Sequence, residues 1–308
     1  MKIGVIGGVG FIGNEVVRQL LSQQRQVFII DNKNRTAPDI EDLKAVKLYE
    51  VDIRDYDGLD HVMASEKPDV LIHLAAIHFI PECNQNPANT IAVNVEGTVN
   101  VLRMAERYKV AHTVIASSGA VYGDSPEHLT EYGSTIAPVD IYGWTKKHVE
   151  DITSLYAQNN PTLKFTLFRL FNTYGPRETN AHILPEIIQQ LKVSDTLSLG
   201  NIKPRRDMVF TEDVAHAIIA LADRQKGEAI EVVNLCSGSH ASVEEMIALI
   251  AKLTGRNIHV KEDLARYRKA DKLVQVGSNA KLLELIGYQP ATDLKEGVRK
   301  LLVYESLV

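Results

Sequence analysis

The 308-residue chain has only two cysteines, Cys83 and Cys236, with no CxxC pair and no Cys/His cluster, which excludes a disulfide framework and leaves no metal signature. It has no basic run longer than Arg205-Arg206. Its 34 Lys and Arg are outnumbered by 39 Asp and Glu, leaving −5, so nucleic acid is not an expected partner. Long apolar runs are missing too. The longest, Val70 to Ile80, is interrupted by His73 and His78 and falls short of the ~20 residues of a spanning helix, so no membrane partner is expected. The N-terminus enters a strand-like MKIGVIGG with no basic region before a cleavable apolar segment, and the expected compartment is a reducing cytoplasm.

What is present is globular material: 45% hydrophobic and 24% charged, enough for a sizeable core in one large unit or two lobes. Short apolar runs alternate with segments of helical period, the pattern of βαβ units. Strands are expected near Lys2 to Ile6, Val27 to Ile30, Val46 to Glu50, Val70 to His73, Thr113 to Ala116 and Leu163 to Arg169. Helices are expected near Phe11 to Ser22, Tyr56 to Ala64, Ala88 to Tyr108 and Ile141 to Gln158, and later near Glu212 to Ala222, Val243 to Thr254 and Asn279 to Ile286. The reading is α/β: a doubly wound parallel sheet over residues 1–172, also recruiting about 209–235, and a smaller C-terminal lobe from 173–208 and 236–308. Ligands of such sheets bind at the carboxyl ends of the strands.

The first strand runs into Gly7-Gly8-Val9-Gly10-Phe11-Ile12-Gly13, which satisfies both GxGxxG and GxxGxxG ahead of a helix. Taken alone this is a glycine-rich turn about as often as a phosphate loop. Its context favours the loop, because the second strand ends in Asp31, where a carboxylate can accept ribose hydroxyls and repel a 2′-phosphate. NAD is therefore expected over NADP, with Arg35 keeping the alternative open.

Tyr142 and Lys146 stand four residues apart in a helical segment and share a face, a pairing common enough by chance. It gains weight from Ser117-Ser118-Gly119-Ala120-Val121-Tyr122-Gly123 at the end of the fifth strand, which brings hydroxyls to the ligand edge of the sheet. A fixed Lys cation and a positive nicotinamide would favour the phenolate of Tyr142, which could then take a proton while hydride leaves the substrate.

With these motifs the sequence resembles the extended short-chain dehydrogenase/reductase family, in particular its NAD-dependent nucleotide-sugar epimerases and dehydratases, which have a Rossmann fold. The resemblance also rests on Asp52-Ile53, His73-Leu74-Ala75-Ala76, Asn94-Val95-Glu96-Gly97-Thr98, the run Arg169 to Arg177, Arg206-Asp207 with Asp213, and Leu285 to Pro290. It implies a catalytic Ser118, Tyr142 and Lys146. It implies an NAD site of Gly7, Gly10, Phe11, Ile12, Gly13, Asp31, Asn32, Asp52, Ile53, Leu74, Ala75, Ala76 and Asn94 together with Tyr142 and Lys146. It implies a nucleotide-diphosphate-sugar substrate held by Ser118, Asn172, His182, Arg206 and Arg268, and a homodimer formed through the helices near Ala88 to Tyr108 and Ile141 to Gln158. No metal is implied.

In the family's 4,6-dehydratases the catalytic Thr is followed by Asp-Glu, and decarboxylating relatives carry Glu at the second of those positions; here they are Gly119 and Ala120. The expected activity is therefore C4 epimerisation through a 4-keto sugar. The alternatives are a nucleotide-sugar reductase or dehydratase, and a silent nucleotide-binding scaffold. His73 is expected to be structural, His78 is open, and Cys83 and Cys236 are expected to be inert.

Overall fold

Seven strands form one parallel sheet in the computed structural model, which describes residues 1–34, 36–37, 43, 45–125, 127–224, 227–267 and 272–308. In chain order they are β1 (Lys2–Ile6), β2 (Gln26–Asp31), β3 (Lys47–Glu50), β4 (Val70–His73), β5 (His112–Ser118), β6 (Lys164–Leu170) and the strand Ile230–Leu235. In space the last strand lies at one edge, followed by β6, β5, β4, β1, β2 and β3. Central strands of such a sheet are covered on both faces, which is why β1 and β4 are almost wholly apolar and buried.

Register decides where the ligand edge lies. Ile6 pairs with both Ile30 and His73, and His73 pairs with Ile115, so β1, β2, β4 and β5 release their following loops along one edge. The order reverses between β1 and β4, and a crevice opens there.

Two apolar cores flank this frame. One joins the sheet to the helix Phe11–Ser22, called α1, and to the helix Thr211–Ala222. The other packs Leu184, Ile187 and Ile188 against Met246, Ile250, Val298 and Leu301, from three helices of the later chain. Each such buried side chain contributes roughly 1.5–3 kcal/mol. The helix Ala280–Ile286, expected with the smaller lobe, instead sets Leu282 into the first core.

The helix expected near 88–108 is interrupted. An α-helical turn at Pro87–Ile91 passes into a π-helical turn at Ala92–Glu96 and resumes as Gly97–Arg107. Periodicity does not announce a single wide turn, although such turns gather at functional sites.

Candidate active site

At the end of β1 the chain turns through Gly7 to Gly13 into α1. Gly7 has φ +87, a left-handed conformation, and a Cβ there would lie 2.7 Å from the Ala75 nitrogen. At Gly13 a Cβ would lie 2.0 Å from the Gly7 oxygen. Gly10 is different: only the Gly7 oxygen, 3.5 Å away, borders its missing Cβ among the described residues. Gly10 caps α1, no side chain satisfies the first-turn N–H groups, and no acidic residue stands in that turn. This open cradle and positive helix end fit a pyrophosphate.

Asp31, at the end of β2, is buried and accepts hydrogen bonds from the backbone N–H of Val9 at 3.2 Å and Lys33 at 2.8 Å. Burial pushes its carboxyl above the usual range, and the two N–H groups oppose the shift. A carboxylate has about four acceptor positions, so the ribose hydroxyls can still be accepted. Arg35 lies outside the described residues.

Asp52 differs from expectation. Its carboxylate accepts the backbone N–H of Arg54 at 2.9 Å and its guanidinium at 2.8 and 2.9 Å, and Asn32 donates to it at 3.2 Å. The Arg54 guanidinium holds the Asp52 carboxyl well below the usual carboxylate range. Ile53, Arg54 and Asn32 line the cleft, whereas Asp52 braces them from behind.

Tyr142 and Lys146 lie one turn apart on the helix Ile141–Asn159, whose N-cap Asp140 accepts the Gly143 N–H at 2.8 Å. A Cβ on Gly143 would lie 2.7 Å from the Ala120 oxygen, so the glycine lets this helix press against the loop after β5. That loop begins at Ser118, whose side chain opposes the upward push on the Tyr142 phenol and whose Oγ accepts the Ala120 N–H at 3.1 Å. The Lys146 Nζ donates to the Ala116 carbonyl at 2.8 Å and sits 5.8 Å from the centre of the Tyr142 ring. Burial pushes Lys146 down to about 8. Although its ring borders the cleft, burial also pushes Tyr142 well above the usual phenol range, and Ser118 opposes this only in part. Among the protein's own groups, burial is the largest influence on this phenol; the expectation that Lys146 and a positive nicotinamide favour the phenolate concerns the site with its dinucleotide bound.

The Asn94 motif is scaffold. Asn94 is buried in the π turn, accepts the Ile77 N–H and donates to the Ile77 carbonyl, both at 2.8 Å, and donates to Thr145 at 3.1 Å. It holds the loop after β4 beside the catalytic helix and does not line the cleft. A Cβ on Gly97 would lie 2.5 Å from the Ile53 side chain. The Thr98 hydroxyl donates to the Asn94 carbonyl at 2.7 Å, so it accepts from Nε2 of His73 at 2.9 Å, and Nδ1 of that histidine is buried without a partner. His73 is thus structural but only half satisfied.

Gly7, Gly10, Phe11, Ile12, Gly13, Asp31, Leu74, Ala75, Ala76, Tyr142 and Lys146 share one cleft lining. Of the residues expected to hold substrate, Asn172 is exposed and donates to the Asp207 carbonyl at 3.3 Å. The Arg206 guanidinium donates to the carbonyls of Arg205 at 2.9 Å and Lys272 at 2.8 Å, and His182 faces the Glu178 carboxylate at 3.4 Å. None of these three joins that lining. They stand beyond it, on the second core's side. Arg268 lies outside the described residues. Sequence reasoning missed Arg54 and Asn89 at the adenosine end of the cleft, and Thr179 and Asn180 at the catalytic end. The nearest signals were the adjoining Asp52-Ile53 and His182.

The model of the NAD dependent epimerase/dehydratase family matches residues 3–236. The chain belongs to that family. Among its relatives, UDP-glucose 4-epimerase of Lacticaseibacillus casei is 28% identical over 95% of this chain and 93% of its own. GDP-6-deoxy-D-mannose reductase of Pseudomonas aeruginosa is 28% identical over 77% of this chain and 80% of its own. The solved UDP-glucose 4-epimerase of Thermus thermophilus, in complex with NAD, is 28% identical, with a TM-score of 0.88 and 99% of both chains covered. For this member of the NAD dependent epimerase/dehydratase family, the cradle over Gly10 and the carboxylate of Asp31 are the chemical fit to its dinucleotide.

Proposed function

We propose that the protein is a nucleotide-sugar 4-epimerase that retains its NAD, with UDP-glucose the first substrate to test. The observation that carries this reading is the meeting of Tyr142 and Lys146 in the cleft that the glycine loop and Asp31 line, with Ser118 ending the adjoining β5 and no acidic pair after it. Bound NAD supplies a hydride acceptor and donor and a positive ring beside the phenol. Tyr142 takes the proton of the C4 hydroxyl and later returns it; Ser118 orients that hydroxyl. Lys146, pinned to the Ala116 carbonyl, keeps a cation near the phenol oxygen. The 4-keto sugar turns over in the cleft before the hydride returns.

Elimination finds little support. A Cβ on Gly119 would lie 3.3 Å from the Phe171 ring and 3.4 Å from the Gln275 amide, so a side chain there would need the ring to give by a few tenths of an ångström. Residues 1–172 with about 209–235 would hold NAD. Residues 173–208 and 236–308 would hold the sugar diphosphate through His182, Arg206 and Arg268, joined by Asn172 at the end of the first unit. A homodimer through the helices near 88–108 and 141–158 is supported by Ile91, Trp144 and Leu155, which are 49%, 49% and 57% exposed. Among the described residues no helix is long and apolar enough to cross a membrane, and a cytoplasmic setting suits the substrate.

The deciding experiment uses C4-deuterated UDP-glucose with the protein as purified. The epimer should retain the label with no lasting absorbance in the reduced-nicotinamide band. Accumulating free NADH, or an absolute need for added reduced cofactor, would make the protein a net oxidoreductase; no turnover of any nucleotide sugar would leave a scaffold.

A further inference from the structure

The catalytic end of the cleft is closed by two segments that come from different cores. His78 follows β4, and Thr179 and Asn180 lead into the helix Ile183–Leu191, yet all three line the cleft with Tyr142 and Lys146. Asn180 is 6% exposed, and its Nδ2 lies 3.0 Å from Nε2 of His78. With the amide donating, Nε2 accepts, and the ring proton of the neutral imidazole sits on Nδ1.

The turn that presents Asn180 is itself fixed. The Glu178 side chain is 5% exposed, and its Oε1 accepts the N–H groups of Thr179 at 2.9 Å and Asn180 at 3.0 Å. Its other oxygen faces Nδ1 of His182 at 3.4 Å, and the His182 ring lies 5.7 Å from His78 and 5.8 Å from Phe79. Burial pushes His78 down to about 4, with His182 and Lys146 acting the same way and Glu178 opposing, so its ring is neutral and able to accept.

We infer that His78 and Asn180 form a contact that retains the dinucleotide, closing the cleft over its catalytic end, with His78 as the positioning residue. The inference deepens the epimerase reading and rests on it: an enzyme that must return its hydride gains from slow cofactor release, and a hydrogen bond across the mouth must break before release. His78→Phe keeps ring packing against His182 and Phe79 but removes the acceptor. His78→Gln restores an acceptor.

The test follows dissociation of bound NAD after dilution, by gel filtration and adenine absorbance, with circular dichroism melting as the control for folding. The native protein should lose NAD slowly. His78→Phe and Asn180→Ala should each lose it about tenfold faster, the effect of one hydrogen bond. The double variant should be no faster than either single one, and His78→Gln should approach native. Should His78→Phe fail to fold, Asn180→Ala carries the same comparison. Native-like release from the folded variants overturns the contact and leaves the epimerase reading standing. Rapid release from the native protein overturns both.

Discussion

The sheet-side wall of the cleft hangs on four strand ends held level by their pairing, whereas the opposite wall comes from the turn at 178–182 and from strand pairs two or three residues long. On the first wall each functional group follows an element whose register is shared with its neighbours, so Gly7, Asp31, Leu74 and Ser118 fall into place together. On the second, Asn172 and Arg206 spend their hydrogen bonds on backbone carbonyls, and the approach of Asn180 to His78 spans 102 residues of sequence. Reaction chemistry is thus seated on the more rigid wall. On the proposed reading, recognition of the substrate falls to the side whose parts can vary independently.

The sharpest test of that contrast is Tyr142→Phe, on the rigid wall. Turnover should fall ~10²–10⁴-fold, the scale of general acid–base catalysis, with the melting temperature and NAD binding preserved. A variant that keeps most of its activity would detach the reaction from the sheet-side wall. Next in size is Asp31→Ala, which should weaken NAD by about 1.5–3 kcal/mol and narrow its advantage over NADP, read by calorimetric titration of both dinucleotides. Tighter binding of NADP by the native protein would instead point to Arg35.

Acid should act first on the sheet side. Burial pushes His73 down to about 3 and His112 to about 4 from an ordinary 6.5. Both lie on central strands, β4 and β5. The unfolded chain binds more protons than the folded one between those values, so their contribution is intact above pH ~6.5 and is lost as pH falls toward 4, at up to ~1.4 kcal/mol per pH unit for each group. Urea midpoints measured from pH 7.5 to 5 should fall accordingly. Midpoints flat over that range would mean these imidazoles do not govern acid stability. The smallest effect belongs to the second wall: Asn172→Ala should raise KM for the nucleotide sugar several-fold, about 1 kcal/mol, and leave kcat nearly unchanged. A large fall in kcat would erase the distinction between the walls.

The sequence made the parallel sheet legible because its central strands are buried on both faces and read as short apolar runs, and α1 was found end to end because glycines precede it and its period is clean. Tyr142, Lys146 and Ser118 were legible for a related reason: helical spacing and a strand end fix where each points. Asp52 misled because a carboxylate beside the right isoleucine looks like a ligand contact, and only the folded chain shows Arg54 occupying it. Asn94 misled because its amide meets Ile77 and Thr145, 17 and 51 residues away, distances no local pattern encodes. Spacing says nothing about burial, the largest influence on the Tyr142 phenol, so that influence was not legible in the sequence.

The π turn at Ala92–Glu96 has a consequence for how this chain compares with others. One extra residue in a helical turn corresponds to ~100° of rotation about the axis, so the stretches before and after it follow different phases. Asn89 and Val93 border the cleft, and Val93 also packs against the core that holds Val101, Met104 and Ala105. A single-residue gap opened within these five positions, when this chain is aligned with another, would therefore record a change of phase. A chain one residue shorter there would turn the helix that follows by that angle relative to the turn before it.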